Sequence, residues 1–354
     1  MGSINIAPGT DNNFNLIRML AACSVVFSHS YVLVSGDPAS EPLTYVLGIS
    51  LGHLAVDVFF IASGFLISGS LFRRSSIREF LWARALRVFP GLWVMLLLTV
   101  LVFGPLVSAL PGRYYFSEWG TWKYLIKNAI LIFNASYSLP GVFENIPYSF
   151  AVNGSLWSLP IEIRMYLLLA VLWFTLGLLK RQSTDQLKWV VWIIVITSMA
   201  TLMYYNAQGE QINHNVRLAA VFFCGVLLQI YKSFIRVSSK VALLLFALLV
   251  AAGCYSQSLF LIVYYVSLPY LIIYIAYCQV SWVSRLKMKD DISYGIYIYS
   301  FPIQQLLILK FVNITPGIMF SVSLALTAPL AFVSWRLIEE KCIQLKRKPS
   351  IQTV

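Results

Sequence analysis

The stretch "NLIRMLAACSVVFSHS", residues 15–30, is apolar enough to cross a bilayer, yet it carries Arg18 near one end and His29 near the other. They are eleven residues apart, close to three turns of α-helix, so both side chains lie on one helix face, about 16 Å apart. An ionisable residue inside a membrane span costs roughly 2.5–3.5 kcal/mol on insertion scales. The pair therefore indicates a function along this face.

The composition of the whole chain extends this interpretation. Of 354 residues, 59% are hydrophobic and 11% are charged, which is typical of a polytopic membrane protein. The apolar runs predict an all-α bundle of ten transmembrane helices. The predicted spans are 14–34, 46–71, 86–108, 155–179, 188–206, 215–231, 240–254, 258–278, 291–310 and 316–337. The apolar segment 123–133 is too short to span and predicts an interfacial or re-entrant helix.

The basic residues predict the orientation, because Lys and Arg near span ends are retained in the cytoplasm. With the N-terminus inside, nineteen basic residues fall on the cytoplasmic side and five on the outer side. Both termini are therefore expected in the cytoplasm. Since the basic residues punctuate the spans, the net charge of +12 reflects topology, and we expect no nucleic-acid partner. We predict one transmembrane domain over 1–345 and a basic cytoplasmic tail over 346–354.

Three titratable residues within spans are predicted to share one layer near the outer face. Counting at about 1.5 Å per residue places His29, Asp57 and Glu162 at similar depths. A carboxylate next to a histidine fixes the tautomer of the imidazole and raises its basicity. His29 is thus predicted to act as a general base, with Asp57 as its orienting partner. His53 and His214 lie near outer span ends, where surface or interfacial placement is expected.

A group of arginines is predicted at the cytoplasmic end. Arg84 and Arg87, one helical turn apart in "REFLWARALRVFP", point the same way. With Arg18 they would form a three-arginine cradle suited to phosphate groups. A nucleotide-bearing donor such as an acyl-CoA has these phosphates, and its pantetheine arm is long enough to extend toward His29. No phosphate-binding glycine motif is present, and no metal is required.

Five blocks of sequence resemble the acyltransferase-3 family of membrane O-acyltransferases. They are "FNLIRMLAACSVVFSHS" at 14–30, "GHLAVDVFFIASGFLISGSL" at 52–71, "RALR" at 84–87, "NGSLWSLPIEIRMY" at 153–166 and "ISYGIYIYSFP" at 292–302. The resemblance covers nearly the whole chain. It implies transfer of an acyl group, above all acetyl, from acyl-CoA to a hydroxyl of a glycan or glycolipid, such as an O-antigen or exopolysaccharide. It also implies a multi-pass protein of the bacterial inner membrane, in contact with membrane lipid.

The blocks suggest further site residues and also contain departures. Trp157, Ser158 and Tyr166 fall in the fourth block, and Tyr294 in the fifth, where each is a candidate for substrate binding. Ser300 stands where the late span of the family often carries a histidine, so the chemistry is assigned to His29 alone. Some relatives carry a fused extracytoplasmic domain that completes the transfer. This chain is expected either to acylate a lipid-linked oligosaccharide or other glycan directly or to use a separate extracytoplasmic partner.

Several alternatives remain open on the sequence. Two roles fit His29: a base on the acceptor, or a residue that forms a covalent acyl intermediate. The same buried groups would serve a proton-coupled transporter as a relay and a substrate site, although no internal repeat supports that class. A third alternative is an inactive scaffold for polysaccharide assembly.

Overall fold

The computed structural model describes residues 4–5, 12–74, 76–179, 183–210, 213–278, 290–311 and 313–346. These residues form an α-helical bundle with one two-stranded pair, β1 (Ile4–Asn5) and β2 (Arg236–Val237). The prediction of an all-α polytopic membrane bundle is confirmed. Eight of the predicted basic tail residues, 347–354, lie outside the described residues.

Fifteen helices are found in the described part of the chain. They are α1 (Phe14–Ser35), α2 (Pro42–Leu47), α3 (Leu51–Phe72), α4 (Ile77–Leu98), α5 (Gly104–Val107), α6 (Gly112–Ser117), α7 (Trp119–Ile130), α8 (Leu159–Leu178), α9 (Thr184–Gln208), α10 (His214–Ile230), α11 (Ser239–Tyr255), α12 (Gln257–Tyr277), α13 (Ser293–Lys310), α14 (Pro316–Ser334) and α15 (Glu340–Gln344). Ten of them correspond to the ten predicted spans. Seven helical segments among these residues are long and apolar enough, by length and composition, to cross a membrane. The helices α10 and α11 are apolar but shorter.

Two predicted spans begin elsewhere than expected. The second begins at Leu51 instead of 46, because Gly48 takes a left-handed conformation that ends α2 and Ser50 then caps α3. The third begins at Ile77 instead of 86, so Arg84 and Arg87 lie within a helix that continues to Val107 through a π-helical segment at 99–103. A second π-helical segment, 335–339, joins α14 to α15.

The 123–133 segment forms most of α7, which has 12 residues and is too short to cross a bilayer. This helix packs against α4, and the Trp93 indole N–H donates a hydrogen bond of 3.0 Å to the carbonyl oxygen of Ala129. The link holds α7 at one end of the bundle, as predicted for a helix that does not span.

Close packing of α3 against α10 shapes the centre of the bundle. A Cβ added to Gly64 would overlap the carbonyl oxygen of Phe222, and one added to Gly225 would overlap that of Ile61. The two backbones can approach this closely only because both positions lack a side chain. This contact brings the side chains of α10 directly against those of α3.

The two ends of the bundle differ in charge. Arg18, Arg84 and Lys346 lie at one end, called here the basic end, and α3 begins at the opposite end and descends toward it. The pairing of β1 with β2 places the N-terminal residues beside the α10–α11 connection, and Lys346 lines the same cavity as Arg18. Both ends of the described chain thus lie at the basic end, as an even number of spans requires.

Candidate active site

A cavity of about 380 Å³ opens among α1, α3, α4, α8 and α13. Seven of the residues singled out from the sequence line it: Arg18, Arg84, Arg87, Ser158, Glu162, Tyr166 and Tyr294. Three others, His29, Asp57 and Trp157, are not among its lining residues in the described chain. The cavity therefore unites the predicted arginines with part of the predicted substrate site, and leaves the predicted base outside.

Asp291 organises the arginine side of the cavity. Its Oδ2 atom accepts a hydrogen bond of 2.5 Å from Arg18 and another of 2.5 Å from Arg87, while its Oδ1 atom accepts one of 2.5 Å from Ser293. Arg87 also lies 3.8 Å from the buried carboxylate of Glu339. Asp291, which is not among the predicted site residues, holds two guanidinium groups in fixed positions at the cavity wall.

Arg84 differs from the other two arginines. It forms no ion pair with any residue that the structure describes, and its buried Nε atom has no hydrogen-bond partner there. A buried guanidinium without an anion is costly unless something pairs with it. Arg84 therefore presents an unused positive charge to the cavity.

Lys346 adds a further cation that the sequence analysis had assigned to the tail. It lines the cavity just beyond α15. Burial, together with the positive charges of Arg84, Arg87, Arg74 and Arg18, lowers its pKa to about 8. Together the lining residues hold four cations and two carboxylates, so this end of the cavity is suited to an anion.

Aromatic rings fix the position of Arg87. The Arg87 guanidinium carbon lies 5.9 Å from the ring centroid of Tyr294 and 5.4 Å from that of Trp335. The Tyr294 hydroxyl donates a hydrogen bond of 2.8 Å to the carbonyl oxygen of Val88. Tyr294 thus lines the cavity while being held by α4, and Trp335, which the sequence analysis did not select, completes this wall.

Polar groups line the deep part of the cavity. The Glu162 carboxylate accepts hydrogen bonds from the Tyr166 hydroxyl and, at 3.3 Å, from Ser63. The Ser158 and Tyr297 hydroxyls are 2.7 Å apart, and Tyr297 donates to the carbonyl oxygen of Ser155 at 2.8 Å. Ser63 lies six residues along α3 from Asp57, about 9 Å nearer the basic end. Because Glu162 contacts Ser63, it also lies nearer that end than Asp57 does. The prediction of one shared layer is therefore wrong for Glu162.

Asp57 does not pair with His29, so this part of the predicted site is wrong. Its Oδ1 atom accepts a hydrogen bond of 2.8 Å from Arg217, and its Oδ2 atom accepts one of 3.0 Å from Tyr264. His53, one turn earlier on α3, places Nε2 3.4 Å from Oδ2. Asp57 and Arg217 are both fully buried. Because α3 and α10 pack closely, the Arg217 guanidinium occupies the position beside this carboxylate that was predicted for His29.

Trp157 belongs to this second cluster and not to the cavity. Its ring centroid lies 5.9 Å from the Arg217 guanidinium carbon and 4.8 Å from the centroid of His214. The exposed His214 therefore lies at the surface, as predicted. His53, by contrast, is directed inward to Asp57.

His29 lies about one helical turn beyond the deep end of the cavity. The rings of Phe59 and Tyr297, which line that end, are 5.8 Å apart. One turn further along α13, Phe301 lies 5.1 Å from His29, edge to face. The buried Nδ1 atom of His29 has no hydrogen-bond partner among the described residues. The imidazole is thus free to bond to a ligand, but an aromatic wall separates it from the arginines.

The fold and the cavity define a multi-pass membrane protein with a cavity at its basic end whose lining holds more cations than carboxylates. The family model described as "Acyltransferase domain", that of the acyltransferase-3 family, matches residues 11–336. The chain belongs to the acyltransferase-3 family, and it is a membrane acyltransferase. Within the described residues, no group of three or more His, Cys, Asp or Glu side chains is placed to hold a metal ion.

Curated relatives resemble the chain over most of its length. It is 29% identical over 343 residues to "O-acetyl transferase" of Shigella phage Sf6, covering 93% of this chain and 95% of the relative. It is 28% identical to "Nodulation protein 10" of Rhizobium leguminosarum bv. viciae, covering 96% and 95%. It is 26% identical to "O-acetyltransferase OatA" of Staphylococcus aureus, covering 82% of this chain and 52% of that protein. No solved structure matches the chain.

Proposed function

We propose that the protein transfers an acyl group, above all acetyl, from acyl-CoA to a hydroxyl of a cell-surface glycan or glycolipid. The observation that carries the proposal is the excess of cations in the cavity, where Arg84 and Lys346 have no carboxylate partner in the described chain. Acetyl transfer is favoured by the names of the phage and staphylococcal relatives. The proposed location is the bacterial inner membrane, with the basic end in the cytoplasm.

The donor is proposed to enter from the basic end. Its 5′-diphosphate would bind Arg84, Lys346 and the two arginines held by Asp291, because charge-assisted hydrogen bonds from guanidinium groups suit phosphate oxygens. A thin pantetheine arm would follow the cavity inward, past Glu162 and Tyr166. The thioester would then lie near Ser158 and Tyr297, at the deep end.

The acceptor is proposed to approach from the opposite end, on the side of His29. His29 would take the proton of the acceptor hydroxyl as its oxygen attacks the thioester carbonyl. The new C–O bond forms, the C–S bond breaks, and CoA leaves as a thiol after accepting a proton. An acyl group carried first on His29 would produce the same products.

The aromatic wall sets a condition on this step. Because Phe59 and Tyr297 lie between the cavity and His29, the two rings must separate when donor and acceptor are both bound. Asp57 would support the step indirectly, by keeping α3 and α10 in register. A separate extracytoplasmic protein could receive the acyl group in place of the final glycan, as the sequence analysis proposes.

The test is release of CoA by protein purified in lipid nanodiscs and supplied with acetyl-CoA and a lipid-linked oligosaccharide. We expect free CoA and an acetylated glycan, and loss of both in His29→Ala. His214→Ala is the matched control, because this exposed histidine lies on the surface against Trp157. Proton-coupled uptake without cleavage of acetyl-CoA would contradict the proposal and favour a transporter. Unchanged glycan acetylation in His29→Ala would contradict the assigned base.

A further inference from the structure

A second recess adjoins the cavity at the basic end. It is a groove of about 960 Å³ between the start of α4 and the segment that follows α15. Arg74, Arg78, Glu79 and Trp82 line it, and Lys346 lines both this groove and the cavity. The shared lysine makes the two spaces neighbours, so one elongated ligand can occupy both.

The groove carries more positive than negative charge. Arg74, Arg78 and Lys346 face a single carboxylate, that of Glu79. Arg74 donates a hydrogen bond of 3.3 Å to the Ser70 hydroxyl, and neither Arg74 nor Arg78 forms an ion pair in the part of the chain that is described. Three cations that share one groove with a single carboxylate favour binding of an anion.

Trp82 adds a flat surface to the charged wall. Its side chain is 54% exposed, and a tryptophan near a membrane interface is common by itself. Here the indole lines the same groove as the three cations Arg74, Arg78 and Lys346. An exposed aromatic face beside cations is the combination that binds a nucleobase together with its phosphates.

We propose that this groove binds the adenosine 3′-phosphate part of the donor, with the adenine against Trp82 and the 3′-phosphate on Arg74 and Arg78, while the 5′-diphosphate stays on the cations of the cavity. The inference rests on the proposed function, since it assumes an acyl-CoA donor. The division of the ligand follows the two shapes: the smaller cavity takes the thin arm, and the larger groove takes the bulky nucleotide. Anionic lipid headgroups present the same phosphate chemistry, and the test separates the two sources.

The experiment measures acetyl transfer in nanodiscs with two donors, acetyl-CoA and acetyl-pantetheine, which lacks the nucleotide. In the double variant Arg74→Gln, Arg78→Gln we expect the KM for acetyl-CoA to rise about tenfold with kcat unchanged. The KM for acetyl-pantetheine should stay at the wild-type value. Arg73→Gln is the matched control, because Arg73 is an exposed neighbour that lines neither space.

Three results would overturn the inference: an equal rise in KM for both donors, no rise for acetyl-CoA, or the same rise in Arg73→Gln. Nanodiscs of purely zwitterionic lipid supply the second arm. If removing anionic lipid reproduces the effect of the double variant, the groove binds lipid and the inference is wrong.

Direct binding of adenosine 3′,5′-bisphosphate, by calorimetry, separates this inference from the proposed function. Binding that needs Arg74 and Arg78, in a protein that never cleaves acetyl-CoA, would support the groove and contradict the function. Acetyl transfer that is indifferent to both arginines would support the function and contradict the groove.

Discussion

Two charged regions of this bundle use arginine in opposite ways. Around Asp57, one guanidinium meets one carboxylate, and Arg217 and Tyr264 both donate to it in a fully buried setting. At the basic end, Arg84 and Lys346 line an open cavity and form no ion pair with a carboxylate among the described residues. The first region satisfies its charges internally, whereas the second leaves positive charge available to a ligand.

The difference teaches which charged residues hold the fold and which bind. A buried pair that is complete has nothing to offer a substrate, and removing one member exposes the other to an apolar interior. Removing a cation that faces a cavity without a partner costs the protein little stability, but it weakens binding of the ligand. The predictions below test this division, from the largest effect to the smallest.

Asp57→Ala is expected to cause the largest loss of stability. Arg217 would remain buried without a counter-charge, which costs about 3–5 kcal/mol. The measurement is the thermal unfolding midpoint in detergent, together with the yield of monodisperse protein. Replacing both members, as in Asp57→Leu with Arg217→Met, should recover much of the stability. If Asp57→Ala alone is as stable as the wild type, the buried pair does not hold the fold, and the proposed difference between the two regions is wrong.

Arg84→Ala is expected to weaken CoA binding while leaving the fold intact. The loss of one charge-assisted contact corresponds to about 1.5–3 kcal/mol, or roughly ten- to hundredfold in Kd. The unfolding midpoint should not change, because no carboxylate is left behind. Arg113→Ala, which changes an exposed arginine of α6, is the control. A large drop in the unfolding midpoint of Arg84→Ala would show that this residue is structural.

Gly64→Ala is expected to disturb the region of Asp57 through the backbone. The added methyl group would meet the carbonyl oxygen of Phe222 and push α3 away from α10, at a cost of about 1–3 kcal/mol. Gly317→Ala is the control, since a Cβ there meets nothing within 4 Å. Equal unfolding midpoints for the two variants would contradict the close packing that brings Arg217 to Asp57.

The charge of Lys346 gives the smallest expected effect, a pH dependence of donor binding. With its pKa at about 8 in the free protein, the lysine is charged below pH 8, and bound phosphate raises its pKa. CoA affinity should therefore be constant below pH 8 and fall as the pH rises above it, by at most about tenfold per unit. Calorimetric titration at several pH values measures the slope. Lys346→Arg should abolish it, because arginine stays protonated.

Much of the fold could be predicted from hydrophobicity alone. The span predicted at 14–34 is α1, and the segment at 123–133 proves too short to cross. The early start of α4 was missed because its first turns are rich in charge. The break before α3 was missed because Gly48 lies inside an apolar run.

The site was predictable where it depends on residues close in sequence. Arg84 and Arg87 share a helix, and one turn of spacing brings both to the cavity. Arg217 is 160 residues from Asp57, a separation that no local pattern encodes. A signal existed, since Arg217 lies within a predicted span and a charge there needs a partner. Asp291 is likewise a charged residue at the start of a predicted span, 291–310, and such a charge also needs a partner.

The central claim is that the acyl donor lies in the cavity at the basic end. Cross-linking with an acyl-CoA that carries a photoreactive acyl chain, followed by mass spectrometry, tests it most directly. We expect labelling near Ser158 and Tyr297, at the deep end of the cavity, and loss of that label in the presence of excess CoA. Labelling confined to the region of His53 and His214, or labelling that CoA does not displace, would contradict the claim.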